Sequence, residues 1–509
     1  MTTGIALEGK TSTGNAHLRL DAGDDVSTKA RRVSLFRKKA VAMMAGLAGL
    51  SLSAAPSWSV SVDSSVEVGP IRLMNAVNNG PTKARSDQSR GNFDEYAALK
   101  IPYARVHDAS HAAAYGGPHV VDISAVFPNF EADVEDPASY DFTITDEYLG
   151  NIRAAGTEPY FRLGQAIEHW IKKYGVNPPK DNAKWARICE HIVRHYNEGW
   201  ANGFKWNIQY WEIWNEPDGN AVTADGRQGP TWTGTTEQFL ALYKVTSLHL
   251  RKCFGDTIKI GGPAFCWWGA WAKDFLPFCA KEKLPLDFYS WHCYTVEPTR
   301  VADDARRARK LLDDNGFTKA ESHLNEWNYV RGWGDEWIYS LECESGRQNY
   351  KGAAFVAATM IACQDAPLDL LMFYDARLGS SMNNIFDVVS LQPLKGYYPF
   401  LAWRRLRDLG TQVRTTVTAA DAQRSQLYAC AAKDANGHGA LFLARYVEDN
   451  NVVETRRVTL ALPKGVDPAV ARCHVTDDTR TYTETPLVID AKGGAFVKLK
   501  PNSFALIEW

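Results

Sequence analysis

Short apolar segments alternate with amphipathic stretches along most of the chain. Eight of these segments have the length and composition of buried strands: Ile71–Val77, Tyr103–His107, Pro159–Leu163, Tyr210–Asn215, Lys259–Pro263, Asp287–His292, Ser322–Asn325 and Leu370–Tyr374. Strands that alternate with helical patterns indicate a parallel α/β architecture. Eight such strands, with their crossovers spread over residues 66–410, predict a closed (β/α)8 or TIM barrel rather than an open sheet.

Two of the crossover helices have recognisable starts. Asp181 precedes apolar residues spaced 3, 4 and 4 positions apart, and Thr235 and Gln238 have the spacing of a capping box. Further helices are predicted at Val301–Leu312, Lys351–Cys363 and Gly396–Leu409. No G-x-G-x-x-G fingerprint follows the first strand, so the sequence gives no reason to expect a dinucleotide-binding sheet.

Beyond Gly410 the pattern changes to short alternating segments. They are Leu427–Ala432, Ala440–Tyr446, Arg457–Leu462 and Ala495–Leu499, with Asn436-Gly437 and Asp449-Asn450-Asn451 as turns. This pattern predicts a β-sandwich over residues 411–509 as a second domain. Because no low-complexity linker separates it from the barrel, we expect the two parts to pack together.

The N-terminal region is typical of an export signal. Five basic residues precede the apolar run Ala40–Ala55: Arg31, Arg32, Arg37, Lys38 and Lys39. The run is short and rich in small residues, which favours a signal peptide over a spanning helix, although a retained anchor is the alternative. We therefore expect residues 1–57 to be a signal and leader, and the mature chain to be periplasmic or secreted. The Arg31-Arg32 pair resembles a twin-arginine signal, which leaves the export route open.

Composition narrows the possible partners. The formal net charge is -2, so the chain has no broad basic field for nucleic acid. The nine cysteines show no paired CxxC spacing, which predicts neither a zinc site nor a dense disulfide framework, and buried free thiols are expected. The 17 tryptophans serve either the core or the stacking of sugar rings.

Two glutamates come directly after apolar strand segments. Glu216 follows the fourth candidate strand and comes directly before Pro217, which cannot continue a strand. Glu326 follows the seventh candidate strand. The carboxyl ends of barrel strands form the catalytic rim, and the fourth and seventh strands lie across the barrel from each other, so these two acids can meet. One protonated and one ionised carboxyl are what the hydrolysis of a glycosidic bond requires. The pair therefore predicts a glycosidase.

The context of these glutamates resembles a known family. The segments concerned are Arg105-Val106-His107, Trp214-Asn215-Glu216-Pro217, Trp291-His292-Cys293-Tyr294 and Asn325-Glu326-Trp327-Asn328. They are similar to glycoside hydrolase family 39, a retaining family of clan A that includes β-xylosidases and α-L-iduronidases. The resemblance spans residues 66–410, and the appended β-sandwich also fits it. The stretch Gly164–His169 departs from the family, which leaves the sugar open.

The resemblance implies a role for each of five residues. Glu216 would be the general acid/base and Glu326 the nucleophile, with Asn215 donating to the sugar hydroxyl beside the anomeric carbon. Tyr294 and Arg105 would hold the nucleophile ionised and oriented. Carboxyls about 5 to 5.5 Å apart would retain configuration through a covalent intermediate, whereas a wider gap would mean inversion. Such an enzyme acts on an oligo- or polysaccharide and needs no metal or redox cofactor.

Further residues near the strand ends are candidates for sugar binding. His107 and His292 contact the sugar or are core histidines, and Glu168 and His169 form a subsite wall or a solvated loop. Candidate stacking platforms are Trp327, Trp333, Trp337 and Trp232.

Two other functions fit the same residues. One is a sugar-binding barrel that has lost turnover, although the presence of both acids argues against it. The other is an endo-acting enzyme or a transglycosidase that uses the same site. The leading hypothesis of the sequence is a retaining glycosidase that acts on an oligo- or polysaccharide outside the cytoplasm, with a β-xylosidase-like exo-glycosidase as one form of it.

Overall fold

The structure is a computed structural model. It describes residues 58–86, 89–109, 119–220, 228–266, 270–333, 337–419 and 426–509. The predicted signal and leader, residues 1–57, lie outside the described residues. No helix in these described ranges is both long and apolar enough to cross a bilayer.

Eight parallel strands close into a barrel. In chain order they are β2 (Leu73–Asn78), β3 (Tyr103–Val106), β4 (Glu158–Leu163), β5 (Tyr210–Ile213), β6 (Lys259–Phe265), β7 (Phe288–Thr295), β8 (Glu321–Tyr329) and β9 (Leu370–Phe373). Each strand pairs with its neighbours in sequence, and β9 returns to β2. The eight predicted strands and the barrel class are confirmed.

Helices lie between the strands. They are α1 (Phe93–Ala98), α2 (Ile123–Val126), α3 (Thr143–Ala154), α4 (Asn182–Asn197), α5 (Thr236–Phe254), α6 (Ala270–Glu282), α7 (Pro298–Asp314), α8 (Trp337–Gln348), α9 (Tyr350–Gln364) and α10 (Tyr397–Leu409), with 3₁₀ turns at Pro137–Ser139 and Trp200–Asn202. The predicted starts are confirmed: Asp181 accepts two backbone N–H groups, and Thr235 and Gln238 form a capping box. Both caps satisfy N–H groups that would otherwise lack partners in the first turn.

Side chains alternate along each barrel strand between the interior and the helix layer. In β5, Trp211 and Ile213 join the large hydrophobic core beneath the helices, whereas Tyr210 packs inside the barrel with Tyr160 and Phe288. The interior aromatic residues fill the end of the barrel where the strands begin. The opposite end of the interior, where the strands finish, holds polar and charged side chains.

The second domain is a ten-stranded sheet. Its strands are β1 (Trp58–Pro70), β10 (Thr411–Thr418), β11 (Leu427–Lys433), β12 (Gly439–Arg445), β13 (Arg456–Ala461), β14 (Arg472–Thr476), β15 (Thr483–Glu484), β16 (Val488–Ile489), β17 (Ala495–Leu499) and β18 (Ser503–Glu508). Residues from strands near both ends of the order β15-β14-β18-β12-β11-β10-β1-β13-β17-β16 share one hydrophobic core. The sheet is therefore folded over itself, as in a sandwich.

The predicted boundary at residue 66 falls inside a strand of this sheet. β1 pairs antiparallel with β10 and parallel with β13, so residues 58–70 belong to the second domain rather than to the barrel. Trp58, Val60 and Val62 alternate into the core of the sheet, which explains the placement. The pattern could not assign this strand because its partners lie beyond the whole barrel.

The sheet packs firmly on the barrel. Phe442, Phe504 and Leu506, on the face opposite the core of the sheet, join the core that contains α9 and α10. The Tyr446 hydroxyl donates to the carbonyl of Val296, at 2.8 Å, just after β7. The predicted packing of the two domains is therefore confirmed. All nine cysteines are free and seven of them are buried, as expected from their spacing.

Candidate active site

Glu216 and Glu326 meet at the carboxyl ends of the barrel strands. Glu216 follows β5 and Glu326 lies in β8. An oxygen of each carboxyl and a ring nitrogen of His292 all lie within 4.8 Å of one another. This separation agrees with the spacing of about 5 to 5.5 Å in retaining glycosidases and is too short for the spacing of about 6.5 to 9.5 Å in inverting ones.

A buried arginine connects the residues around this pair. The Arg105 guanidinium donates to Glu326 at 2.7 Å, to Asn215 at 2.6 Å, to Glu212 at 2.6 Å and to Asn78 at 3.1 Å. The planar, five-donor geometry of arginine suits such a fan of acceptors. Arg105 therefore fixes the orientation of Glu326 and of the Asn215 amide at the same time.

Glu326 has contacts that stabilise a negative charge. One oxygen accepts from Arg105, and the other accepts from the Tyr294 hydroxyl at 2.7 Å. The Nε2 atom of His107 lies 3.7 Å from the first oxygen. Because both carboxylate oxygens accept hydrogen bonds, this carboxyl is the one of the pair that the protein holds ionised.

Glu216 has a different environment. Its carboxyl meets Nδ1 of His292 at 2.7 Å, and its side chain is only 15% exposed. Burial raises the pKa of Glu216 to about 7, an effect that Arg105 opposes and the charge of Asp108 reinforces. Glu216 can therefore keep its proton near neutral pH, as a general acid must.

The pair shares its proton unequally. Burial also raises the pKa of Glu326 to about 7, the same value as that of Glu216, while Arg105 and the Tyr294 hydroxyl oppose the rise at Glu326. Two carboxyls this close do not ionise together easily, so one proton stays on the pair. The arginine and phenol contacts of Glu326 direct that proton to Glu216. Burial lowers the pKa of His292 to about 4, so the imidazole between them is neutral at neutral pH.

The backbone around Glu216 is strained in a defined way. Trp214 and Glu216 have φ of 76° and 47°, in the left-handed region that non-glycine residues rarely adopt. Backbone hydrogen bonds from Trp214 to Leu163 and from Glu216 to Ala264 tie this turn to the two neighbouring strands. The turn places Asn215 and Glu216, consecutive in sequence, on the same rim.

Several buried polar atoms at this rim have no hydrogen-bond partner among the described residues. They are Nε2 of His107, Oδ1 of Asp108, Nδ2 of Asn215 and Nε2 of His292. Buried polar groups in folded proteins are normally paired, so a cluster of unpaired ones needs an explanation. The cluster therefore marks a part of the rim whose polar groups the described chain does not satisfy by itself.

Sequence reasoning missed a second group of residues around the pair. The Arg162 guanidinium donates to His107 at 3.2 Å and to Asp122 at 2.6 Å, and the Tyr374 hydroxyl donates to the Asp108 carboxylate. Asp122 begins a short helix in the loop after β3, which no periodicity indicates. Arg162 and Tyr374 had a usable signal, since inward-facing polar residues near the ends of strands line the rim of a barrel.

Two candidate stacking platforms were wrong. Trp327 is fully buried and packs on Phe355 of α9 and Phe373 of β9, because β8 continues past Glu326 and the next residue turns outward. Trp232 is also fully buried, with its ring 4.9 Å from that of Trp214 and its N–H donated to Thr235. Both indoles belong to the core and neither presents a face to a sugar.

The structure places the remaining candidates differently. Glu168 is neither a subsite wall nor solvated, because its carboxylate accepts the backbone N–H groups of Tyr174 and Gly175 at 2.8 and 2.7 Å. His169 is exposed next to it. Trp333 is 61% exposed and lies edge-on to Tyr294, with ring centroids 5.0 Å apart, so its stacking role stays a prediction. The side chain of Trp337 lies outside the described residues.

Two groups of described side chains are close enough to bind a metal ion. One is Glu216, His292 and Glu326, and the other is Glu190, His249 and Cys253. Hydrolysis by a pair of carboxyls needs no metal, and the hydrogen bonds within the first group suit proton transfer. The second group lies among the outer helices, with Glu190 in α4 and with His249 and Cys253 in α5.

Comparison with known proteins gives a consistent result. The model of glycosyl hydrolases family 39 matches residues 117–376, slightly more than half of the chain. A β-xylosidase of Geobacillus stearothermophilus is 28% identical over 239 residues, which cover 41% of this chain and 44% of that protein. A β-xylosidase of Caldicellulosiruptor saccharolyticus is 24% identical over 281 residues, which cover 50% and 51% of the two chains. The chain thus spans about half the length of these relatives.

A structural comparison covers almost all of the fold. A crystal structure of a glucosidase from Croceicoccus marinus superposes with a TM-score of 0.68 at 20% identity, covering 89% of this chain and 98% of that one. This likeness extends the agreement from the barrel to the sheet domain. The match of the family model leads to one conclusion: the chain belongs to glycosyl hydrolases family 39.

Proposed function

We propose that the chain is a retaining glycoside hydrolase that cleaves an O-glycosidic bond of an oligo- or polysaccharide by double displacement. The observation that carries the proposal is the pair Glu216 and Glu326, within 4.8 Å of each other and held in unequal environments. Glu326 has the arginine and tyrosine contacts of an ionised carboxylate, and burial holds a proton on Glu216. Membership of family 39 supports the same reaction.

The geometry defines two steps. In the first, Glu326 attacks the anomeric carbon while Glu216 gives its proton to the leaving oxygen, so the glycosidic bond breaks and a glycosyl ester forms. In the second, Glu216 takes a proton from water, which attacks the anomeric carbon and releases Glu326. Esterification removes the negative charge of Glu326, which lowers the pKa of Glu216 and suits its change from acid to base.

For the substrate we propose a β-xylosidase-like exo-glycosidase activity. Two relatives named β-xylosidase support it. The Asn215 Oδ1 atom accepts from Arg105 and its amide nitrogen has no hydrogen-bond partner among the described residues, so we assign that nitrogen as the donor to the hydroxyl beside the reacting carbon.

A panel of aryl glycosides tests the activity directly. Xyloside, arabinoside, galactoside and iduronide are assayed with the unmodified chain and with Glu216→Ala. We expect turnover of the xyloside, a large loss in the variant and rescue of the variant by azide on an activated donor. A 2-fluoro glycosyl donor should label Glu326 covalently. No turnover on any donor together with no label would indicate a sugar-binding protein, and unchanged turnover in Glu216→Ala would remove Glu216 from its role.

We also propose that residues 1–57 direct export to the periplasm or the medium. The support is the sequence pattern alone, with basic residues ahead of the apolar run Ala40–Ala55. N-terminal sequencing of the exported protein tests the proposal, and replacing Arg31 and Arg32 by lysine tests the twin-arginine route. Retention of the full chain in the cytoplasm of its own host would contradict it.

A further inference from the structure

Three side chains of types that can bind a metal ion lie close together outside the barrel, away from the catalytic rim. Glu190 comes from α4, and His249 and Cys253 come from the neighbouring α5. The two residues of α5 are four positions apart, so they lie one above the other on one face of the helix. These helices precede and follow β5, the strand that leads to Glu216.

The three donor atoms lie close to one another. The Nε2 atom of His249 lies 2.6 Å from a carboxylate oxygen of Glu190 and 3.7 Å from the sulfur of Cys253. All three donors lie within 4.8 Å of one another. The cysteine is free, and none of the three side chains is fully buried, so an ion could reach them from solvent.

The arrangement does not suit a nucleophilic cysteine. A Cys–His–acid relay needs the thiol on one ring nitrogen and the acid on the other. Here both partners approach the same Nε2 atom. In addition, burial and the Glu190 carboxylate raise the pKa of Cys253, which is the opposite of activation. Three donor atoms of these types within 4.8 Å of one another suit a chelate instead.

The distances are close to those of a tetrahedral centre. Bonds of about 2.3 Å to sulfur and about 2.0 Å to nitrogen separate the two ligands by roughly 3.5 Å. The sulfur and the nitrogen already lie 3.7 Å apart. For an ion to bind, the hydrogen bond between His249 and Glu190 must open by less than about 1 Å, and the Glu190 oxygen and the Cys253 sulfur, which lie within 4.8 Å of each other, must take up a similar spacing.

A second contact orients the carboxylate. Arg194, one turn further along α4, donates from Nε to the other oxygen of Glu190 at 2.7 Å. That bond leaves the oxygen nearer to His249 available, in the way that outer partners usually orient metal ligands. Thiolate, imidazole and carboxylate together favour zinc-type transition metals, because magnesium and calcium prefer oxygen ligands alone.

We propose that Glu190, His249 and Cys253 bind a divalent transition-metal ion of the zinc type, which joins α4 to α5 and leaves one coordination position for water. On binding, the ion would displace the thiol proton of Cys253 and take the lone pair of the His249 Nε2 atom in the tautomer that carries its proton on Nδ1. Its role is structural and independent of the proposed glycosidase activity, since the group lies on the outer helices.

The full chain, treated with a chelator, tests this site. Titration with Co²⁺ should give one bound ion per chain with the near-ultraviolet absorption of a cobalt–thiolate bond. Zn²⁺ should displace it and Mg²⁺ should not. Zn²⁺ at a hundredfold excess over Kd should also raise the Tm by roughly 3 °C.

Matched variants locate the ion. Cys253→Ser and His249→Ala should lose the absorption, whereas Cys266→Ser, at the other cysteine that is only partly buried, should keep it. Thermal unfolding of the metal-free variants checks that each one folds. No absorption from the unmodified chain, its persistence in Cys253→Ser, or its loss in Cys266→Ser would each overturn the proposal.

Discussion

The two ends of the barrel interior differ in how completely their polar groups are paired. Where the strands begin, Tyr160 and Phe288 pack with His323, and Tyr210 donates to Glu321 at 2.9 Å. Where the strands finish, charged groups dominate, and buried nitrogen and oxygen atoms lack partners among the described residues. The end where the strands begin stabilises the fold, whereas the end where the strands finish holds buried polar groups that the described chain does not pair.

The barrel separates residues that stabilise the fold from residues that surround the catalytic carboxyls. Along β5, Tyr210 and Glu212 both face inward two positions apart, yet one joins an aromatic cluster and the other the Arg105 network. A strand thus crosses from a packed layer to a catalytic layer within a few residues. Substitutions where the strands finish should therefore reduce activity, whereas substitutions where the strands begin should leave activity nearly unchanged.

The largest effect is expected from removing the nucleophile. Glu326→Gln keeps an acceptor for Arg105 but cannot form the glycosyl ester, so kcat/KM should fall about ten-thousandfold or more. Steady-state kinetics on an activated aryl glycoside measure it, and circular dichroism checks the fold. Retention of more than about a tenth of the activity would show that the covalent step belongs elsewhere.

Next in size is the loss of the buried arginine. Arg105→Met leaves the Glu212 and Glu326 carboxyls without their cation, and unfolding should become easier by about 3 to 5 kcal/mol. Denaturant unfolding measures the change. Arg251→Met is the matched control, because Arg251 pairs with Asp256 and Asp287 near the surface and should cost about 1 kcal/mol or less. Equal costs for the two variants would contradict the comparison.

The raised pKa of Glu216 predicts that Glu216→Gln is more stable than the unmodified chain at high pH. The pKa of this carboxyl rises from 4.5 in the unfolded chain to about 7 in the folded one, so folding loses stability as the pH rises through that interval. Glu216→Gln removes this loss. The variant should match the unmodified chain at pH 4 and exceed it by roughly 3 kcal/mol at pH 8. Unfolding curves that stay parallel across this range would refute the raised pKa.

The smallest effect is expected where the strands begin. Tyr160→Phe removes a hydroxyl 3.3 Å from His323 and should cost about 1 kcal/mol of stability, with kcat/KM within about twofold. Ser290→Ala is the counterpart at the other end, since its hydroxyl donates to Glu212 at 2.6 Å. It should cost more, about 1.5 to 3 kcal/mol, because the buried Glu212 carboxyl loses one of its donors and the Ala264 N–H loses its acceptor. A strong loss of activity in Tyr160→Phe would show that the two layers are coupled.

Much of the barrel could be predicted from sequence because its strands are short apolar runs between recognisable helix caps. The placement of Glu216 and Glu326 at one rim followed from the same pattern. The error at Trp327 came from ending the seventh strand at Asn325, whereas β8 continues to Tyr329 and alternation turns the indole outward. Asp122 escaped prediction because its loop acquires a partner, Arg162, only in the folded barrel.

The position of β1 has a consequence for how the chain is made. This strand lies in the middle of the sheet, yet both of its partners, β10 and β13, follow the whole barrel in sequence. A ribosome would therefore release the barrel strands before the sheet could close around β1. A fragment that ends at residue 410 would leave the apolar face of Trp58, Val60 and Val62 uncovered and prone to aggregation.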